Sequence, residues 1–167
     1  MDEAATGLRA VLVLGIGNPG AGDDGVGPAV AQMLQGRAPS GVVVRARQGD
    51  MLALIDDWQG FEAVICIDAA SGESGTGHIH RFDLTHGGRA DLQALAQTSS
   101  HGFGLPEAVE LARVLGRTPG RLIVYAVEGA SFEPGAAMSP EAVSAAKAVA
   151  EHVLADVERL LARHPVE

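Results

Sequence analysis

Three polar residues stand where they could do chemistry. Asp24 lies in the glycine-rich loop GIGNPGAGDDGVG, Asp68 closes the apolar run VICID, and His101 sits in TSSHGFGLPEA, just ahead of a helical pattern. Two carboxylates and an imidazole suit a borderline divalent metal such as nickel or zinc and leave coordination positions open. Open positions point to a passing ligand or a reacting water rather than a closed structural site. The chain has neither H-E-x-x-H nor C-x-x-C, so it fits neither common zinc class. Each residue also has a plainer reading: Asp68 as a turn cap, Asp24 as an acid at a helix entry, His101 as a solvated loop residue. Glu128, at the end of the last apolar run, is a candidate supporting partner. Cys66 lies mid-strand with no evident base and reads as core, while His78, His80, His86, His152 and His164 read as surface residues.

In the loop that carries Asp24, Gly15, Gly17 and Gly20 spell the G-x-G-x-x-G dinucleotide fingerprint after a strand. In that fingerprint a helix begins near the second glycine and turns its free N–H groups to the pyrophosphate. Here Pro19 supplies no N–H and pushes Asn18 out of the α region. The helix then starts no earlier than about Gly25, roughly five to eight residues late. Asp23 and Asp24 add negative charge inside that gap, and no acid stands about 20 residues further on to hold a ribose. No nucleotide cofactor is expected.

Something must bring these residues together. AVLVLG (10–15), GVVVRA (41–46), AVICIDA (63–69), HIHRFDL (78–84) and RLIVYAV (121–127) read as strands. The stretches 28–36, 50–58, 105–116 and the long run opened by Ser139-Pro140-Glu141 read as helices, with Asp50 and Ser139 as caps. Only about eight residues separate 63–69 from 78–84, too few for a parallel crossover, so that pair is expected to lie antiparallel at an edge. The order βαβαββαβα predicts an α/β fold: one three-layer α/β/α sandwich on a mostly parallel five-stranded sheet with one antiparallel edge strand. Placing the first and third strands side by side makes Asp24 and Asp68 converge at the carboxyl end of the sheet, where such folds hold ligands.

The totals agree. A chain of 167 residues, 47% apolar and rich in glycine (22) but poor in aromatics (four Phe, one Trp, one Tyr), suits one domain with an aliphatic core. Residues 1–8 are expected to be flexible and 163–167 frayed. The net charge of −9 speaks against nucleic acid and against an anionic membrane surface. A single cysteine allows no intrachain disulfide, the start MDEAATGLRA is not a signal peptide, and no apolar run could span a bilayer, so a cytoplasmic protein is expected.

Four segments, LVLGIGNPGAGDDGVGPAVAQ, VICIDAASGESGTGHIHRF, SSHGFGLPEAVELARVLGRTP and EGASFEPGAAMSPEAVSAA, resemble the hydrogenase maturation endopeptidases in order and spacing. The resemblance covers most of the chain. That family trims the C-terminal extension from the large-subunit precursor of nickel-containing hydrogenases. The resemblance implies that Asp24, Asp68 and His101 contact nickel already installed in the precursor and hold it against the scissile bond. Some members carry glutamate where Asp24 stands; aspartate is one CH₂ shorter but keeps the carboxylate. It also implies a monomer that meets its substrate transiently, with nickel supplied by the substrate. Water attack through the metal as Lewis acid and water attack through a carboxylate base are both open. Two other readings stand beside it: a nucleotide-dependent oxidoreductase, and a non-catalytic nickel chaperone.

Overall fold

Strand formation follows the apolar runs, and the helices cover both faces of the sheet they build. The computed structural model describes residues 9–85, 89–98 and 104–163; the terminal stretches 1–8 and 164–167, and the histidines His86, His101 and His164, lie outside them. The strands are β1 (Arg9–Ile16), β2 (Val42–Arg47), β3 (Phe61–Ala70), β4 (Ile79–Asp83) and β5 (Arg121–Glu128). The helices are α1 (Val26–Leu34), α2 (Ala53–Asp57), α3 (Arg89–Thr98), α4 (Leu105–Val114) and α5 (Pro140–Ala162).

The sheet order is β2-β1-β3-β5-β4. β1 pairs in parallel with both β2 and β3, β3 pairs in parallel with β5, and β4 closes one edge antiparallel to β5. The expected three-layer α/β sandwich is therefore the observed one. Alternation along each strand sorts the core into two layers. Leu12, Leu14, Cys66, Val124 and Ala126 face the layer covered by α2, α3 and α4. Val11, Val13, Ile65, Ile67, Tyr125 and Val127 face the layer covered by α1 and α5. Cys66 is wholly buried, and burial pushes its thiol up, so it is the core residue its position suggested. At the start of the long last helix, Ser139 caps α5 by accepting a hydrogen bond from the Ala142 N–H at 3.2 Å, as its sequence context required.

The structure corrects three expectations. The stretch 89–98 forms α3, a helix beyond those expected from the pattern. α2 is shorter than 50–58, and Asp50 serves the turn ahead of it: its Oδ1 accepts from the N–H groups of Leu52 (3.1 Å) and Ala53 (3.4 Å). His80 is not a plain surface residue, because its ring is half-buried against Glu128.

Candidate functional site

β1 leads to β2 on one side of the sheet, and β3 lies on the other side of β1. The loops leaving β1 and β3 therefore part, and a crevice opens beyond their carboxyl ends. A cleft of about 610 Å³ occupies that position. Its walls are the β1 exit (Ile16, Gly17, Asn18), the β2–α2 connection (residues 48–52) and Gly104 at the start of α4; Asp24 and Asp68 both face into it.

The local backbone explains why Asp24 reaches the cleft. After β1 the chain makes a 3-10 turn, Gly22–Gly25, before α1 begins at Val26, so the helix starts late, as Pro19 required. Gly17 has φ +139°, and a Cβ there would lie 2.0 Å from the carbonyl oxygen of Asp24. Only glycine lets the strand exit pass so close beneath the acid. Gly27 does the same for the helix: a Cβ would meet Ile16 O at 2.3 Å and Ile67 O at 2.6 Å, so its bareness seats α1 on the ends of β1 and β3. The Asn18 N–H then donates to Asp24 Oδ2 at 2.8 Å and fixes the carboxylate.

The adjacent acid has a different job. Asp23 is buried, and its carboxylate accepts from the N–H groups of Ala130 (2.7 Å) and Ser139 (2.7 Å) and from Ser139 Oγ (2.9 Å). Burial alone would raise its pKa, but these donors outweigh that effect and hold the carboxyl below its usual range. Asp23 ties the β1 loop to the connection between β5 and α5. The pair Asp23-Asp24 thus divides into one structural acid and one acid open to the cleft.

Asp68 lies half-buried near the end of β3, on the face shared with Cys66 and Ala70. Burial first, and the charge of Asp24 second, push its carboxyl up to about 7, against a smaller opposing effect from the Ala69 N–H that donates to Oδ1 at 2.9 Å. A carboxyl lifted in this way by burial and a like charge, inside a cleft, marks a functional site. The structure brings Asp24 and Asp68 to one cleft. His101 lies outside the described residues, but it stands three residues before Gly104, which lines that cleft. The residue on the other flank, Thr98, accepts a hydrogen bond through its carbonyl from the Ser71 N–H at 2.9 Å, three residues beyond Asp68.

Glu128 does not support the cleft carboxylates directly. It is buried, and its oxygens are engaged by His80 Nε2 (3.0 Å) and the Ser74 N–H (3.0 Å). Burial would raise its carboxyl, but these hydrogen bonds hold it below its usual range. The proximity of His78 and His80 to Glu128 is not evident from sequence. The i, i+2 spacing of the two histidines on an alternating strand was the available signal; the partner carboxylate, 48 residues away, was not. Among the described residues, no helix is long and apolar enough to cross a membrane.

Several solved structures share this architecture. The chain is 30% identical to a crystal structure of a hydrogenase 2 maturation peptidase from a Thaumarchaeota archaeon, covering 89% of this chain and 98% of that one with a TM-score of 0.67. The hydrogenase maturating endopeptidase HybD from E. coli shares the fold at 21% identity and a TM-score of 0.74, over 90% of this chain and 93% of that one. The [NiFe] hydrogenase maturation protease HybD from Thermococcus kodakarensis does so at 22% identity and 0.71, over 89% and 99%. No protein-family model matches the sequence, and no curated protein does.

Proposed function

Because the chain belongs to the hydrogenase maturation peptidases and is a hydrolase of peptide bonds, we propose that it removes the C-terminal extension of a nickel-bearing hydrogenase large-subunit precursor. Asp24, Asp68 and His101 recognise the nickel that the precursor carries. The observation that supports this reading most is the shared cleft: two carboxylates, one from the 3-10 turn after β1 and one from the end of β3, face one open crevice at the switch point of the sheet.

The chemistry of this donor set fits a borderline cation with open positions, so the substrate's metal completes the site and is carried away with the product. Two carboxylates that repel each other when alone are stabilised by a cation between them. The substrate's nickel then fixes the register of the precursor, and the peptide that follows it runs along the wall formed by residues 48–52. Asn18 and Gly17 hold Asp24 at that register. Cys66 is buried and its thiol pushed up, so it takes no part as a nucleophile. The chain acts as a monomer on a precursor it meets transiently.

A nucleotide does not suit the same loop. The 3-10 turn places Asp23 and Asp24 where N–H donors would be needed, ahead of a helix that begins only at Val26. The test is a cleavage assay on the cognate nickel-loaded precursor with the wild type and the Asp68→Asn and His101→Ala variants. Loss of cleavage in both variants, with the fold intact, is the expected outcome. Unimpaired cleavage by both would remove these residues from the site.

A further inference from the structure

A second group of donor atoms lies on the same sheet face, outside the cleft. Alternation along the chain entering and forming β4 sends His78, His80 and Phe82 to one side, and the ring of His80 stacks 6.0 Å from that of Phe82, a residue of the layer under α2, α3 and α4. β5 runs antiparallel beside it, with His80 opposite Ala126. The backbone continues the pairing past β4: the Glu128 N–H donates to His78 O at 3.0 Å, and the Gly77 N–H donates to Glu128 O at 2.7 Å. His78 and Glu128 are therefore cross-strand neighbours, with His80 on the diagonal.

The three side chains converge. His80 Nε2 lies 3.0 Å from Glu128 Oε2, the rings of His78 and His80 meet edge-on at 4.6 Å, and one donor atom from each residue falls within 4.8 Å of the others. Glu128 is 1% exposed, an unusual place for a carboxylate, whereas His78 is exposed and leaves a way in from solvent. Over the carboxylate, Gly72 is so close that a Cβ there would stand 2.1 Å from Glu128 Oε1. The His80–Glu128 ion pair accounts for two of the three residues. It does not account for a second imidazole set against the first, since two protonated rings in contact repel while two neutral ones can share a cation.

We propose that His78, His80 and Glu128 form a cation site of the chain's own, for a late first-row divalent ion such as zinc or nickel. Two imidazoles and one carboxylate are the donor set that zinc takes when it keeps a position open. Bonds of about 2.1 Å hold tetrahedral donors roughly 3.4 Å apart, so atoms that lie within 4.8 Å of one another need draw in by at most about 1.4 Å. The site is separate from the cleft. Asp68 faces Ala126 and Ala70 faces Glu128 across the β3–β5 pair, which by strand geometry puts the Asp68 and Glu128 Cα atoms about 8 Å apart. The site is held by β5, by β4 and by the residue just ahead of β4, and needs no residue from the β1 loop.

The experiment titrates the tag-free, full-length apoprotein with zinc and nickel by calorimetry, with cobalt absorption as the spectroscopic readout. No precursor is present, so the result does not depend on the proposed cleavage. The expected result is one equivalent that persists in the Asp24→Asn/Asp68→Asn double variant. That equivalent should be lost, or weakened at least tenfold, in His78→Ala and in His80→Asn. His78 is exposed, so its removal leaves the fold intact, and thermal melting of each apo variant checks this. Unchanged affinity in His78→Ala, or loss of the equivalent in the cleft double variant alone, overturns the proposal, as does the absence of any bound equivalent in the wild type.

Discussion

Replacing Asp68 by asparagine should make the protein more stable at neutral pH while removing its function. Asparagine keeps the shape and an Oδ1 that accepts the Ala69 N–H, which now donates at 2.9 Å. What it removes is a charge held in an unfavourable place. In the folded chain the Asp68 carboxyl is pushed up to about 7 from an ordinary 3.8, by burial and then by Asp24. A folded pKa above the unfolded value means that the protonated form stabilises the fold. That contribution is complete below about pH 4 and is lost as pH rises to about 7. The loss runs at about 1.4 kcal/mol per pH unit over roughly three units, so it totals at most about 4 kcal/mol. The Asn variant has no such titration. Its stability advantage should therefore widen between pH 4 and pH 7 and level off above that. Groups common to both proteins, such as Asp23 and Glu128, cancel in the difference. Urea unfolding of both proteins at half-unit steps from pH 4.5 to 8.5 measures this directly, and near neutrality each kcal/mol corresponds to roughly 2–4 °C in melting temperature. A gap that stays constant across that range would refute the claim that Asp68 is held ionised at a cost.

Other substitutions separate scaffold from site. Asp23→Ala removes the three hydrogen bonds that a buried carboxylate accepts from Ala130 and Ser139 and should cost about 3 kcal/mol of stability by denaturant titration. Among the described residues the Asp24 carboxylate accepts one hydrogen bond, from the Asn18 N–H, and its removal also relieves the repulsion on Asp68, so Asp24→Ala should lower stability by no more than about 1 kcal/mol while precursor cleavage is abolished. Gly17→Ala drives a Cβ into the Asp24 carbonyl at a positive φ, so cleavage should fall at least tenfold with a lowered melting temperature.

Much of this arrangement could be read from residue order, because the signals were local. Near-continuous apolar runs marked the parallel strands, and the short spacing before β4 marked the antiparallel edge. Pro19 told of a late helix, and the observed 3-10 turn bears that out. α3 was not legible for a physical reason: in RADLQALAQT the buried surface rests on Leu95, with Leu92 and Ala94 only packed against the core, so the apolar stripe is thin. Nor did the sequence distinguish Asp23 from Asp24. The donors that make Asp23 structural come from 107 and 116 residues away, and nothing near it reports them. Glu128 was visible as a strand-end acid, but its union with His80 depends on the β4–β5 register, which only the folded sheet sets.

The most direct test of metal-guided cleavage mixes the protein with its cognate large-subunit precursor, prepared in parallel with and without nickel, and reads the mass of the precursor. The nickel-loaded precursor should lose its C-terminal extension at a single bond while the nickel-free one stays intact. Equal cleavage of both forms would contradict recognition of the metal by Asp24, Asp68 and His101, and an uncut nickel-loaded precursor would contradict the proposed substrate itself.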